Sequence, residues 1–261
     1  MTRKIWWMEF AAREFDRIDP NKAIAILPIA AVEQHGPHLP VGVDTYINQG
    51  LLEMLVPRIP ETMDVRILPV QAVGKSNEHI WARGTISHVA TNLIDAWTQV
   101  GLEVARAGIR KLVIVNSHGG NEDVMSIVAR ELRVRAGMLV VRSGWRFPQP
   151  EGLLSDTERR HGIHGGDAET SLMLHFRPDL VEMERAVDFT AIHARDEAEY
   201  KYLRPTGSPH AYAWIASDVN PAGAAGNASL ASAEKGRLLA EAQVRGMLEL
   251  LEEVERFALP Q

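Results

Sequence analysis

The stretch AIAILPIAAVEQHGPHLPVGVD, residues 23–44, decides the fold of this chain. It begins with an apolar run that does not alternate with polar residues, which is typical of a strand buried on both faces of a parallel sheet. Glu33 and His35 follow the run, and residues two apart in an extended segment point to the same side. Asp44 then stands where the next helix should begin. The stretch therefore predicts a buried strand whose carboxyl end carries imidazole and carboxylate groups.

The rest of the chain repeats this pattern of apolar runs and helical periods. Strands are predicted at 23–32, 65–73, 111–117 and 138–143, and helices at 45–57, 89–107, 121–136 and 230–256. Strands and helices that alternate in this order predict an α/β fold with a mostly parallel sheet. Pro28 and Pro69 fall inside strand candidates, which indicates a strand end, an edge or a bulge at each position. Between 177 and 229 a looser, Gly- and Pro-rich pattern predicts long loops that serve as lids or subunit contacts.

The composition limits the classes of partner and of site. A chain of 261 residues with a net charge of -6 lacks the basic face that nucleic acid requires. No apolar run reaches the roughly 18 residues needed to cross a membrane, and the first residues do not resemble a signal peptide. We therefore expect a cytoplasmic protein that binds neither nucleic acid nor membrane. Because there is no cysteine, any metal ion must be held by histidine and carboxylate groups.

A second cluster of polar residues, NSHGGNED, occupies positions 116–123. His118 lies at the carboxyl end of a predicted strand, which is where open α/β sheets place their ligand sites. Asn121 is well suited to cap the helix that follows. A hydrogen-bonded surface histidine is the ordinary alternative for His118.

The third cluster is HGIHGGDAETS, residues 161–171, which precedes an apolar segment. It contains His164 and Glu169 as candidate site residues. Asp167 could cap a helix, and Glu169 would then lie in the first turn, where the helix dipole favours an anion.

Each cluster alone has an ordinary explanation, such as a helix cap for Asp44. Together they favour a shared metal site with ligands of mixed nitrogen and oxygen type: Glu33, His35, Asp44, His118 and Glu169. Three carboxylates against two divalent ions leave a net charge of about +1, which is enough to hold a bridging hydroxide. Histidine and carboxylate ligands suit Zn²⁺ or Mn²⁺. We expect two divalent ions per chain, with Zn²⁺ as the first choice and Mn²⁺ as the alternative.

The segments EQHGPHLPVGVD, NSHGGN and HGGDAETS together resemble the creatininase (creatinine amidohydrolase) family and occur in the family's order. The resemblance implies one domain over residues 1–261, with a three-layer α/β/α fold, a binuclear metal site and assembly into homohexamers. It also implies that Asp44 bridges the two ions and that His118 binds one of them. His164 matches the family's catalytic histidine, whose expected role is to donate a proton to the leaving group.

One position departs from the family members that act on creatinine. Those enzymes have a glutamate ligand two residues after the strand-end histidine, where this chain has Gly120. In the larger HGGN branch of the family the missing ligand comes from the Glu-Thr pair, which here is Glu169. That branch includes deformylases, a peptidase and a ring-opening hydrolase of keto-inositols.

The expected function is therefore that of a metal-dependent amidohydrolase, in which metal-activated water cleaves a non-peptide amide. The substrate would be a small or cyclic compound of creatinine-like, formamide or lactam type. The alternative among enzymes is ring opening of a polyhydroxylated cyclic ketone by the same water. The alternative outside enzymes is a metal-stabilised oligomer without catalysis. His164 beside a full ligand set argues against that alternative, because a structural site closes its coordination shell.

Some residues have no single assignment from the sequence. His38 either orients a ligand from the second shell or finishes the turn that follows the first cluster. Four residues suit a substrate pocket as well as they suit the core or a subunit interface: Trp145, Arg146, Tyr212 and Trp214.

Overall fold

The computed structural model describes residues 3–205 and 209–259. Its central sheet has four parallel strands in the order β2-β1-β3-β4. Their bounds are β1 Ile24–Ile29, β2 Val65–Ile67, β3 Lys111–Asn116 and β4 Leu139–Gly144. The prediction for the second strand was too long, since β2 ends at Ile67, two residues before Pro69, which has no N–H to donate to a ladder.

Eight α-helices belong to the described part of the chain. Their bounds are α1 Val43–Leu55, α2 Ala90–Arg106, α3 Glu122–Ala136, α4 Asp156–His161, α5 Asp167–Phe176, α6 His193–Glu199, α7 Ala216–Val219 and α8 Ala233–Arg256. The predicted helices at 89–107, 121–136 and 230–256 correspond to α2, α3 and α8 within a few residues. None of the helices in the described ranges is both long and apolar enough to cross a membrane.

The sheet lies between two layers of helices. Alternate residues of β1 enter two separate cores: Ile24 and Ile26 pack with residues of α1, α5 and α8. Ala25 and Leu27 pack on the opposite face with residues of α2 and α3. Because side chains alternate along a strand, a fully apolar strand must be covered on both faces. The predicted three-layer α/β/α fold is confirmed.

Pro28 has no N–H group to donate, and it is compatible with a central strand because that group would face the β2 side of β1. The N–H groups of Ile24 and Ala30 donate toward the β2 side, to Asp64 O and Gln71 O respectively. Pro28 shares their direction, and it lies beyond the part of β1 that β2 covers, which is Ile24–Ile26. No ladder hydrogen bond is lost there.

The start of α1 corrects the prediction for Asp44. The helix begins at Val43, and Gly42 occupies the cap position without a side-chain bond. Asp44 therefore does not cap the helix but lies in its first turn, and its side chain is buried. The explanation by a helix cap is wrong for this residue.

The region 177–229 is more ordered than the predicted loops. It contains α6, α7 and a small antiparallel sheet of β5 Asp188–Phe189 and β6 Gly226–Asn227. Ala225, next to β6, pairs with His164 through backbone hydrogen bonds of 3.3 and 2.6 Å. This pairing holds the third cluster against the end of the region. Residues 206–208 of the predicted loops lie outside the described residues.

Candidate metal centre

The five predicted ligands meet at the carboxyl ends of β1 and β3. These strands are parallel neighbours paired over their full length, so the segments that follow them leave the sheet side by side. Glu33 and His35 come from the segment after β1, and His118 comes from the segment after β3. The first turns of α1 and α5 add Asp44 and Glu169.

The donor atoms form two overlapping groups. His35 Nε2 is 3.7 Å from Asp44 Oδ1, 3.8 Å from Glu169 Oε2 and 3.9 Å from Glu33 Oε1. His118 Nδ1 is 3.0 Å from Glu33 Oε1 and 3.6 Å from Asp44 Oδ2. The two oxygens of Asp44 thus face two different histidines. A carboxylate in this position can bridge two ions.

Several of these buried atoms make no hydrogen bond within the described part of the chain. They are both carboxylate oxygens of Glu33, Oδ2 of Asp44 and Nε2 of His35, from residues that are at most 2% exposed. A buried polar atom without a hydrogen bond costs on the order of 1–3 kcal/mol, and here the neighbouring histidines offset part of the carboxylate charge. Ligands about 2.1 Å from a tetrahedral ion lie about 3.4 Å from one another, close to the separations seen here. The donor set fits Zn²⁺ or Mn²⁺.

The two histidines among the predicted ligands are oriented by backbone carbonyls. His35 Nδ1 is 3.0 Å from the carbonyl oxygen of Glu33, and His118 Nε2 is 2.9 Å from that of Lys75. A carbonyl oxygen only accepts, so each of these nitrogens carries the proton. In the neutral form of each ring the opposite nitrogen then has a lone pair toward the carboxylates. Metal-binding histidines are held in this way.

The charges of the centre shift the pKa values of its members. Burial would lower the pKa of His35, but Asp44, Glu169 and Glu33 raise it to about 9. Burial and the charge of Glu33 raise the pKa of Asp44 to about 6, against the opposing effect of the histidines. Burial would lower the pKa of His118 as well, but Glu33 raises it well above its usual value. Without a metal ion, protons on the histidines offset part of the carboxylate charge. A metal ion must displace these protons in order to bind.

His164 lies against the ligand groups with one nitrogen free. Its ring stacks on that of His35 with centroids 4.0 Å apart, and its Nδ1 is 3.6 Å from Glu33 Oε1. Its Nε2 is 2.6 Å from the carbonyl oxygen of Gln34 and so carries the proton. Burial and the charge of His35 hold its pKa well below the usual value. His164 is a neutral imidazole with a lone pair on Nδ1.

His164 also lines an open pocket whose other walls are mostly apolar. The lining residues are His79, Ile163, His164, Trp214, Ala216, Val219, Gly223, Ala224 and Ala225. Of the four residues left open between pocket and core, Trp214 lines this pocket. Trp145 is buried in the core and donates to Asn48 Oδ1 at 3.2 Å. Tyr212 donates to Asp196 away from the pocket lining, and Arg146 is exposed.

Glu78 and His79 enter the centre although the sequence reasoning missed them. They belong to a 3-10 helix, Asn77–His79. Glu78 Oε1 is 3.4 Å from His118 Nε2, and His79 Nε2 is 3.6 Å from Glu33 Oε1. A signal was present, because Glu78 and His79 follow the predicted strand 65–73 closely, as Glu33 and His35 follow the first strand.

Asn121 corrects another prediction. It precedes α3, but its side chain makes no capping bond. Its Nδ2 donates to Ala30 O at 3.0 Å and its Oδ1 accepts from Lys75 N at 2.9 Å. Asn121 therefore joins the end of β1 to the segment that carries Glu78.

Two further residues of the clusters have structural contacts. Asp167 opens α5, is buried and pairs with Lys235, so it lies apart from the metal centre. His38 Nε2 is 2.9 Å from Thr170 Oγ1, which belongs to the residue after Glu169. This contact holds His38 against α5 one residue from Glu169, and it involves no predicted ligand directly.

Comparison with known proteins finds a matching family model, similar sequences and a similar solved structure. The sequence model of the creatininase family, described as creatinine amidohydrolase, matches residues 8–251. The chain is 29% identical over 277 residues to creatinine amidohydrolase from Pseudomonas putida, covering 97% of this chain and 98% of that enzyme. It is 30% identical over 229 residues to mycofactocin precursor peptide peptidase from Mycobacterium tuberculosis, covering 84% of this chain and 80% of that protein. The solved structure of a manganese form of creatininase superposes with a TM-score of 0.73 at 25% identity, covering 98% of this chain and 100% of that one.

Proposed function

This chain belongs to the creatininase family of hydrolases that act on C–N bonds, and we propose that it is an amidohydrolase with two divalent ions, Zn²⁺ or Mn²⁺, per chain. The observation that carries the proposal is the pair of Asp44 oxygens directed at two histidines, His35 and His118. One ion would be held by His35, Glu169 and Asp44. The other would be held by His118, Glu33 and Asp44.

When bound, the ions would polarise the carbonyl of the substrate and activate the attacking water. The residues of the chain supply orientation and proton transfer. Hydrolysis of an amide moves one proton from water to the leaving nitrogen. His164 is placed to carry that proton on Nδ1, because its Nε2 is already committed to the Gln34 carbonyl. A positioned general acid-base group of this kind contributes about 10²–10⁴-fold to a rate.

The pocket beside His164 is small, and its mostly apolar wall would suit the body of a small substrate. Trp214 and the aliphatic residues Ile163 and Val219 form part of its lining. A formamide, a lactam or a creatinine-like ring has a polar carbonyl for the metal centre and a compact body for this wall. We therefore propose a small or cyclic non-peptide amide as substrate.

Oligomeric state and location belong to the same proposal. We expect one hydrolase domain that assembles into a homohexamer in the cytoplasm, as the family resemblance implies. Light scattering on the purified protein measures the assembly directly. A monomer at micromolar concentration would contradict the hexamer without affecting the chemistry.

Elemental analysis of the purified protein tests the metal centre. We expect close to two Zn or Mn per chain, and loss of most metal in Asp44→Ala. Wild-type protein that stays metal-free after incubation with Zn²⁺ and Mn²⁺ would contradict the proposal of a metal-dependent hydrolase.

A substrate screen tests the reaction class. The loaded enzyme is incubated with formamides, lactams, creatinine, short peptides and polyhydroxylated cyclic ketones, beside a His164→Gln variant. Amide turnover that falls by about 10²–10⁴-fold in the variant, with the metal content unchanged, supports the proposal. Turnover of ketones alone would replace the amide by ring opening, and turnover indifferent to His164 would remove its proposed role.

A further inference from the structure

His79 lines the same pocket as His164, and the two rings present different nitrogens to the centre. We propose that His79 is a second catalytic histidine, whose Nε2–H donates a hydrogen bond to the carbonyl oxygen of the substrate amide, an inference that rests on the amidohydrolase proposed above. The side chain of Gln34 contacts both rings, and its orientation decides which nitrogen of His79 carries the proton.

The Gln34 amide is fixed in one orientation by two backbone groups. Its Oε1 accepts from the N–H of Gly36 at 2.9 Å, and its Nε2 donates to the carbonyl oxygen of Gly223 at 2.8 Å. A backbone N–H only donates and a carbonyl oxygen only accepts, so exchanging the two amide atoms would break both bonds. A Cβ atom at residue 223 would overlap the amide, so the glycine there allows Gln34 to pack against the backbone.

The orientation of Gln34 determines the tautomer of His79. The second hydrogen of Gln34 Nε2 is available to His79 Nδ1, which lies 2.7 Å away. His164 Nε2 is 3.4 Å from the same amide nitrogen, but it already carries a proton for the carbonyl oxygen of Gln34 and cannot accept another. His79 Nδ1 is therefore the acceptor, and in the neutral ring the proton lies on Nε2.

His79 and His164 thus offer a donor and an acceptor at the edge of the proposed metal centre. His79 Nε2 and His164 Nδ1 each lie 3.6 Å from Glu33 Oε1, which is beyond hydrogen-bond distance. The three residues offer atoms within 4.8 Å of one another. A nitrogen that carries a proton has no lone pair for a metal ion, so His79 is suited to a substrate oxygen and not to an ion.

Amide hydrolysis gives this donor a defined task. Water adds to the carbonyl carbon, the π pair of the C=O bond moves to oxygen, and one proton of the water passes to His164 Nδ1. The hydrogen bond from His79 stabilises the negative charge on that oxygen. When the C–N bond breaks, the electron pair returns to re-form the C=O bond, and His164 gives its proton to the leaving nitrogen. His79 keeps its own proton throughout.

Two substitutions at position 79 separate hydrogen-bond donation from packing. His79→Met removes the donor at similar size, whereas His79→Gln keeps an N–H donor in the side chain. The assay uses the zinc-loaded enzyme and an amide that the wild type hydrolyses. We expect kcat to fall by about 10²–10³-fold in His79→Met, and His79→Gln to recover at least about tenfold of that loss.

Metal content and a matched control accompany these rates. Elemental analysis should find as much zinc in His79→Met as in the wild type, because His79 is not a ligand. His88→Met is the control, since His88 is an exposed histidine that follows His79 closely in the chain. This control should keep the wild-type kcat.

NMR of the metal-free protein tests the position of the proton without any turnover. Long-range ¹H–¹⁵N correlation on protein labelled at histidine distinguishes the two neutral tautomers, and the signal absent from His79→Met identifies the residue. We expect the Nε2–H tautomer for His79. The Nδ1–H tautomer would overturn the proposal, whatever the enzyme is found to hydrolyse.

The remaining outcomes separate this proposal from the proposed function. Wild-type kcat in His79→Met, equal losses in His79→Met and His79→Gln, or loss of zinc in His79→Met would each overturn the role of His79 and leave the amidohydrolase intact. A wild type that hydrolyses no amide removes both. If circular dichroism shows that the variants do not fold, crystals of the zinc-loaded wild type with the carboxylate product decide. A product oxygen within about 3.2 Å of His79 Nε2 supports the hydrogen bond, and a separation beyond about 4 Å overturns it.

Discussion

Asp44→Asn should make the metal-free protein more stable while it destroys the metal centre. Burial and the charge of Glu33 raise the pKa of Asp44 from its ordinary value of 3.8 to about 6. At pH 7 the carboxylate is ionised in both the folded and the unfolded protein. The raised pKa of the folded state therefore lowers the free energy of unfolding by about 3 kcal/mol. The penalty is fully present above pH 6 and disappears as the pH falls from 6 to 3.8. Asparagine removes the charge at nearly constant volume.

We therefore expect metal-free Asp44→Asn to gain about 1–3 kcal/mol in free energy of unfolding at pH 7. Urea denaturation of chelator-treated protein at fixed subunit concentration, followed by tryptophan fluorescence, measures this. Adding Zn²⁺ should reverse the order, because each of the two proposed ions stabilises the wild type by about 2.7 kcal/mol at 100 times its dissociation constant. The variant lacks the proposed bridging ligand and should gain little.

The matched control is Asp95→Asn on the exposed side of α2. It should change the stability by less than about 0.5 kcal/mol with or without Zn²⁺. The reasoning is refuted if metal-free Asp44→Asn is less stable than the wild type. It is refuted equally if both proteins gain the same stability from Zn²⁺.

Two further predictions concern the centre and its supports, and a third concerns the opposite end of the sheet. The apparent affinity for Zn²⁺ should rise at least about tenfold per pH unit between pH 6 and 8, because His35, with a pKa of about 9, must lose its proton to bind. Calorimetric titration over this range measures it, and a flat profile would contradict the assigned protonation. Asn121→Ala leaves Ala30 O and Lys75 N without partners and should lower the free energy of unfolding by about 2–3 kcal/mol. Urea denaturation measures this loss. An unchanged midpoint would show that Asn121 does not join the two segments. Lys111→Met should lower the free energy of unfolding by about 2–4 kcal/mol, because the buried Nζ donates to Val254 O and Glu255 O at the end of α8. A loss under about 1 kcal/mol in the same assay would contradict this role of Lys111.

The sequence by itself determined the features that depend on neighbours along the chain. Continuous apolar runs predicted β1 and β3, and the two-residue spacing of Glu33 and His35 placed both side chains at one strand end. These predictions succeeded because strand burial and side-chain alternation are local properties. The third cluster supplied Glu169 as a candidate, and the structure brings its Oε2 to 3.8 Å from His35 Nε2.

Only the tertiary structure decided which distant segments meet at that edge. Glu78 reaches His118 across 40 positions of sequence, and Asn121 bonds to Ala30 and Lys75 instead of capping α3. The local pattern around Asn121 favoured a cap, but a buried carbonyl and a buried N–H that need partners outweighed it. Contacts of this kind depend on the packing of strands and helices against one another, and no periodicity in the chain encodes them.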